Sequence, residues 1–235
     1  MIRLYLSCPI QSATSVDLNQ EQYHYLCHVM RLKPSDKLLC FNGIDGEWEA
    51  IITESGKKKW HILPQKQTRK QNTTPFCALC PALIKKDNFD LVLQKATELN
   101  VSDIYPLKLE HSVVSTLNMS RAQSILIEAA EQSERLSLPR LHPVMNLKDF
   151  LKILPSDVNL YYLSEREEST APTTTSKKPA FVVGPEGGFT NEELKLLAHA
   201  NALKLHFPET ILRAETASIA AIACWQLGQF IPHKK

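Results

Sequence analysis

The chain has 235 residues, 43% of them apolar and 22% charged, with a formal net charge of +2. That length allows one or two domains with real cores, and the composition is that of a globular chain rather than a disordered or fibrous one. No run of about 18 uncharged apolar residues offers a membrane span, and the opening MIRLYLSCPIQSATS lacks the long apolar stretch of a secretory leader, so a cytoplasmic protein is expected.

In chain order, residues 1 to about 70 predict a small β-rich domain. Its strands are IRLYL, then KLLCFNGIDGEWEAIIT with turns at Asn42-Gly43 and Asp45-Gly46, then KWHIL, and one helix is expected from Gln20 to Leu32. The polar, aperiodic stretch PQKQTRKQNTTP, Pro64 to Pro75, is the linker candidate, which gives domains 1–72 and 73–235. Residues 1 to 72 hold ten Lys/Arg against seven Asp/Glu, so the basic excess sits in the first domain. The clusters KKK at 57 to 59 and KQTRKQ at 66 to 71, with Trp48, Trp60 and Tyr25, suit a surface that meets phosphates; a solvated basic face is the alternative.

Beyond the linker, strands alternate with helices, which predicts an α/β fold with a mostly parallel sheet. FCALCPALI precedes a helix whose apolar positions are Phe89, Val92, Leu93, Ala96 and Leu99, with Asp87 as its expected cap. DIYPLKL is the next strand, SRAQSILIEAAEQSERL a second helix with the stripe Ala122, Ile125, Leu126 and Ala129, and a short helix follows around Asp149 to Ile153. VNLYYL, AFVVG and LKLHF are the remaining strands, interrupted by the Thr/Ser/Pro-rich loop EREESTAPTTTSKKP. The last helix, AETASIAAIACWQL, is apolar nearly all round, which predicts burial in the core or against a second subunit.

No metal is expected. Cys77 and Cys80 form the one CxxC but lie in a strand-like run with no second pair, and His24 and His28, four apart, have no obvious third ligand. The six cysteines read as free thiols in a reducing compartment.

Two stretches carry the chemistry. In FVVGPEGGFTNEELK an apolar strand meets a turn with adjacent glycines, and Thr190 with Glu193 forms a capping box for the helix that follows. Such a connection lies at the carboxyl end of a strand, where open α/β sheets bind ligands, although the spacing is neither GxGxxG nor GxxxxGK[ST]. In FPETILRAETAS, Arg213 and Glu215 stand beside a loop just ahead of the apolar helix.

GPEGGFTNEE and ILRAETAS together resemble the RsmE family of the SPOUT methyltransferases, and DLVLQKATELNVSDIYPL, HSVV, IEAAEQSERLSLP and HVMRLKPSDKLLCFNGIDGEWEA are similar to that family's other segments, so the resemblance spans the whole chain. It implies transfer of methyl from S-adenosylmethionine to N3 of a uridine in 16S ribosomal RNA, on a C-terminal SPOUT α/β trefoil-knot domain with a small N-terminal PUA-like β-barrel domain. It further implies a homodimer through the knotted domain, and cofactor contacts from Leu163, Gly184, Pro185, Glu186, Gly187, Gly188, Ile211, Leu212, Arg213, Glu215 and Thr216. Arg213 and Glu215 become the catalytic candidates, with Glu186 a second conceivable base, and Arg3, His28, Arg31 and Lys33 the RNA contacts, the RNA being presented in the assembled small subunit. Asn100 and Glu134 stand where this family often has glycine, and Asn88 where a basic residue is common. A ribose 2′-hydroxyl as methyl acceptor, or a non-catalytic RNA-binding assembly factor, are the competing readings.

Overall fold

The computed structural model describes residues 1–55, 59–163, 178–207 and 210–230, with side chains described through 228. Lys57 and Lys58, most of the Thr/Ser-rich loop, and Pro208 and Glu209 lie outside the described residues. The chain divides into two compact units, Met1–Thr73 with Ala130–Leu138, and Thr74–Ala129 with Pro139–Lys235.

The first unit holds β1 (Arg3–Tyr5), β2 (Val16–Asp17), α1 (Gln20–His24), β3 (Lys37–Phe41), β4 (Glu47–Glu54) and β5 (Trp60–Arg69). These strands form one sheet in the order β1-β3-β4-β5-β2, antiparallel except where β1 runs parallel to β3. Its core gathers Leu4, Leu6, Leu26, Leu38, Cys40, Ile52, Trp60 and Ile62. Trp60 is buried there, with Trp48 and Tyr25 packed against it, so these aromatics serve the core and not a phosphate-facing surface.

Two expectations change here. The helix is shorter than Gln20 to Leu32: Asn19 caps α1 in a capping box with Gln22, and Tyr25–Val29 form a π-helical turn that ends in Met30 N–H donating to Tyr25 O at 2.9 Å. Arg31, at φ 56°, then turns the chain away. The expected linker is half strand, because Pro64 to Arg69 continue β5 and pair with β4; from Gln65 onward every residue of β5 is exposed, so no apolar alternation marks it. The turn between β3 and β4 is held by Asn42 Oδ1, which accepts from Ile44 N at 2.9 Å and Asp45 N at 2.8 Å, and by Asp45 Oδ2, which accepts from Ile10 N at 2.9 Å.

The second unit holds β6 (Ala78–Pro81), α2 (Lys86–Glu98), β7 (Asp103–Ile104), β8 (Leu107–Lys108), most of α3 (Met119–Gln132), β9 (Arg140–Leu141), β10 (Met145–Asn146), α4 (Leu147–Ile153), β11 (Asn159–Leu163), β12 (Pro179–Val183), α5 (Asn191–His199), β13 (Leu203–Leu205) and α6 (Ala214–Phe230). Six strands make a parallel sheet in the order β13-β11-β12-β6-β7-β9. Alternate residues feed two cores. Leu79, Tyr161, Leu163, Phe181 and Val183 meet Phe89, Val92 and Leu93 of α2 and Ala221, Ile222 and Trp225 of α6. Cys80, Leu160, Ala180 and Val182 meet Leu147 and Phe150 of α4 and Leu197 of α5.

Helices on both faces of a parallel sheet are the α/β arrangement expected. Cys77 and Cys80, three apart on a strand of period two, join opposite cores, and burial pushes the Cys80 thiol well above its ordinary value. Asp87 is not the cap of α2, whose N-cap residue is Lys85 with no side-chain bond. Asn100 and Glu134, each at φ 56°, occupy the left-handed region that glycine adopts freely, a conformation that asparagine tolerates better than glutamate.

Candidate active site

The carboxyl ends of β11, β12 and β13 lie side by side, since Leu163 pairs with Val183 on one side and Leu205 on the other. The end of β11 and the backbone that leaves β12 and β13 bound a cavity of about 1010 Å³ within the second unit. Leu163, Gly184, Pro185, Glu186, Gly187, Gly188, Ile211, Leu212 and Arg213 all line it. Residues 184–188 and 211–213, from two separate motifs, thus line one cavity.

Glu215 and Thr216 do not line that wall. Glu215 is buried in the first turn of α6, where its Oε2 has no hydrogen-bond partner among the described residues, and Thr216 is exposed. A buried carboxylate oxygen without a donor costs about 1–3 kcal/mol or more, and the described residues supply none to Glu215 Oε2. Sequence reasoning missed Tyr162, Phe189, Lys204, His206 and Phe207, which also line the cavity. Their only signal was position: Tyr162 and Lys204 are next to last in β11 and β13, His206 and Phe207 follow β13, and Phe189 follows the glycine turn.

Each glycine of GPEGG has its own geometry. A Cβ on Gly184 would sit 2.9 Å from the Phe189 ring, and one on Gly187 would sit 2.8 Å from His111 Cβ, so both are demanded by close neighbours. Gly188, at φ 71°, closes the turn by donating its N–H to Pro185 O at 2.8 Å, and a Cβ there would meet nothing within 4 Å. The turn therefore presents bare backbone to the cavity, as a ligand that approaches the main chain requires.

The capping box holds the loop's far end. Thr190 Oγ1 accepts from Glu193 N at 3.2 Å, and Glu193 Oε2 accepts from Thr190 N at 2.8 Å, with the carboxylate buried. Glu193 Oε1 also accepts from Glu110 N at 3.0 Å, which ties the segment after β8 to the start of α5. Part of the N-terminus of α5 is thus already satisfied by its own side chains, while residues 184 to 188 line the cavity ahead of it.

The RNA candidates divide. His28, Arg31 and Lys33 are exposed at the end of the helical segment of the first unit. Arg3 is a correction: its side chain is 4% exposed, and its guanidinium donates to Glu47 Oε2 at 2.9 Å, Ala130 O at 2.9 Å and Arg135 O at 3.1 Å, with the Phe41 ring centroid 4.4 Å away. With Glu131 O accepting a further bond at 3.3 Å, four of the five N–H donors are spent internally, so Arg3 serves the core of the unit and not an exposed phosphate contact.

With this geometry in hand, the resemblance to known proteins is informative. Residues 70–226 match the model of an RNA methyltransferase domain, and residues 18–64 that of an RNA methyltransferase PUA domain. Over 94% of this chain and 93% of the relative, the sequence is 36% identical to Ribosomal RNA small subunit methyltransferase E of Rickettsia conorii. A crystal structure of Ribosomal RNA small subunit methyltransferase E from Neisseria gonorrhoeae, bound to S-adenosyl methionine, superposes with a TM-score of 0.86 at 30% identity, covering 97% of each chain. A methyltransferase of Legionella pneumophila, in complex with bound SAM, superposes at 0.89 with 28% identity over 96% of this chain and 97% of that one.

Proposed function

The chain belongs to the ribosomal RNA small subunit methyltransferase E family, and from that premise we propose that it methylates N3 of a specific uridine in 16S ribosomal RNA, using S-adenosylmethionine. The observation that carries the reading is the convergence of GPEGG and ILR on one cavity with open glycine backbone, followed in α6 by the buried Glu215, whose Oε2 has no partner among the described residues. A cavity of about 1010 Å³ lies at the upper end of the range for small-ligand sites.

When bound there, S-adenosylmethionine supplies an electrophilic methyl group whose bond to sulfur breaks, with its electron pair leaving on sulfur, as the bond to N3 forms. The chain's residues must do the rest. N3 of uracil carries a proton and lies on the Watson–Crick edge, so the base has to be unpaired and held in line. Arg213, exposed on the cavity wall, is placed to stabilise negative charge that develops on the uracil oxygens as that proton leaves. The exposed Glu186 and the buried Glu215 are the candidate bases for that proton.

The RNA would be met in the assembled small subunit, in the cytoplasm, with His28, Arg31 and Lys33 on phosphate. Arg31→Ala is expected to weaken RNA binding and to lower the slope of log affinity against log salt by roughly 0.7–0.9, with cofactor affinity unchanged. Filter binding across a salt series checks this, and an unchanged slope would remove Arg31 from the interface.

A knotted carboxyl-terminal segment and a homodimer complete the proposal. α6 turns Ala217, Ser218, Ala221, Ile222 and Trp225 inward but leaves Cys224 and Leu227 exposed, and Leu227 is 60% accessible. An apolar helix with one uncovered face suits a second copy packed against it.

The test of the function is methyl transfer from labelled S-adenosylmethionine to small subunits that lack the modification, read by nucleoside mass spectrometry. The expected product is 3-methyluridine. A 2′-O-methyl nucleoside as the only product would transfer the activity to a ribose hydroxyl, and RNA binding without cofactor binding would leave an assembly factor.

A further inference from the structure

His111 lies between β8 and α3, 76 residues ahead of the glycine turn. Its ring nitrogen Nδ1 is 3.0 Å from Gly187 O and 3.1 Å from Gly188 O. Both partners are carbonyl oxygens, which only accept, so Nδ1 must carry the hydrogen and donate a shared bond to the two. This fixes the tautomer of the neutral ring, with the lone pair on Nε2.

Gly187 is matched to the same side chain from below. A Cβ there would come within 2.8 Å of His111 Cβ and 3.2 Å of its Cγ, so the glycine admits the histidine as much as it serves the ligand. His111 itself sits on an anchored segment. Glu110 N donates to Glu193 Oε1 at 3.0 Å, Leu109 N donates to Ser112 Oγ at 2.9 Å, and Val113 N donates to Leu83 O at 3.1 Å. The ring is thus held by a rigid support on one side and holds an exposed turn on the other.

We propose that His111 is a positioning residue for the methyl-donor site: by clamping the carbonyls of Gly187 and Gly188 it keeps the backbone of the turn aimed into the cavity before the ligand arrives. This inference rests on the reading of the cavity as the S-adenosylmethionine site. A turn whose Gly187 and Gly188 are both exposed and glycine-rich has many competing conformations. Restricting them in the free protein removes an ordering cost from binding.

The required feature is a donor at the position of Nδ1, which gives a sharp test by substitution. Asparagine places its amide nitrogen where His111 carries Nδ1, whereas glutamine reaches one atom further and alanine has no donor. Titration calorimetry with S-adenosylmethionine on the full chain is expected to show about tenfold weaker binding for His111→Ala and His111→Gln, His111→Asn within about threefold of wild type, and kcat at saturating cofactor nearly unchanged. In the absence of any ligand, hydrogen exchange of a peptide covering residues 184–190 should quicken in the alanine and glutamine variants and not in the asparagine variant.

Equal exchange in all four proteins would overturn the clamp whether or not cofactor binds. Loss of kcat in His111→Asn with cofactor affinity kept would also overturn it, making the ring a group that acts on the substrate. Clamped exchange with no cofactor binding by the wild type would leave the clamp standing and remove the cavity's assignment.

Discussion

Arg3→Ala is expected to destabilise the first unit by about 3–5 kcal/mol, the cost of leaving a buried charge without its partner. Arg3 and Glu47 are 4% and 5% exposed at their side chains and 2.9 Å apart, and Thr68 Oγ1 donates to the other Glu47 oxygen at 2.9 Å. Removing the guanidinium takes the nearest cation from that carboxylate and one donor each from the carbonyls of Ala130 and Arg135. Arg69, 3.8 Å from Glu47 and half-exposed, offers weak compensation. The second half of the expected result distinguishes mechanism from bulk. Replacing both members of the pair with apolar residues of similar volume should recover most of the loss, because no buried charge then remains.

Hydrogen exchange across β1, β3 and β4, read against urea, measures the effect in this unit separately from the other. Unchanged protection in Arg3→Ala would mean that the cation is solvated in the working protein. In that case its place among the RNA contacts would have to be reopened. Arg3→Lys should not rescue, since one ammonium cannot reach a carboxylate and two separate carbonyls in the geometry of the planar fork.

For Arg213→Ala, the expected outcome is a loss of about 10²–10³ in the rate of methyl transfer, the scale of removing one preorganised donor from a site where charge develops. Affinity for S-adenosylmethionine should change far less. Arg213 is exposed at the cavity wall, and its carbonyl accepts from Ala217 N at 2.8 Å, so its backbone starts α6 while its side chain is left to the site. Alanine preserves that helix start, and a loss of rate therefore reads the guanidinium. Single-turnover transfer with saturating cofactor separates the two effects. If cofactor affinity collapses in step with the rate, Arg213 belongs to the cofactor and another cation must face the uracil.

Much of the site was legible because its determinants are local. Thr190 and Glu193 specify a capping box within four residues, and the structure forms both of its bonds. GPEGG and ILR could be assigned to one site only through the family they resemble; nothing local connects residues 184 and 213. Asp87 failed as a cap for a local reason: helix α2 begins two residues earlier than the side-chain pattern suggests, at Lys86, which places Asp87 inside the first turn. Gln65 to Arg69 failed for a different reason, because a strand exposed along its length has no apolar period to read.

By itself the sequence determined the alternation of strands and helices, the apolar character of α6, the capped turn at the end of β12 and the family, all of which depend on residues near one another or on motifs. Only the tertiary structure decided where the cations went. Arg3 and Arg31 look alike in a sequence, yet one is neutralised by Glu47 and by carbonyls 127 and 132 residues away, while the other remains in solvent. The same is true of His111, whose partners lie 76 and 77 residues on. Composition records that a donor exists, but hydrogen bonds of about 3 Å are directional and short-ranged, so which acceptor it meets is settled only when the chain closes on itself.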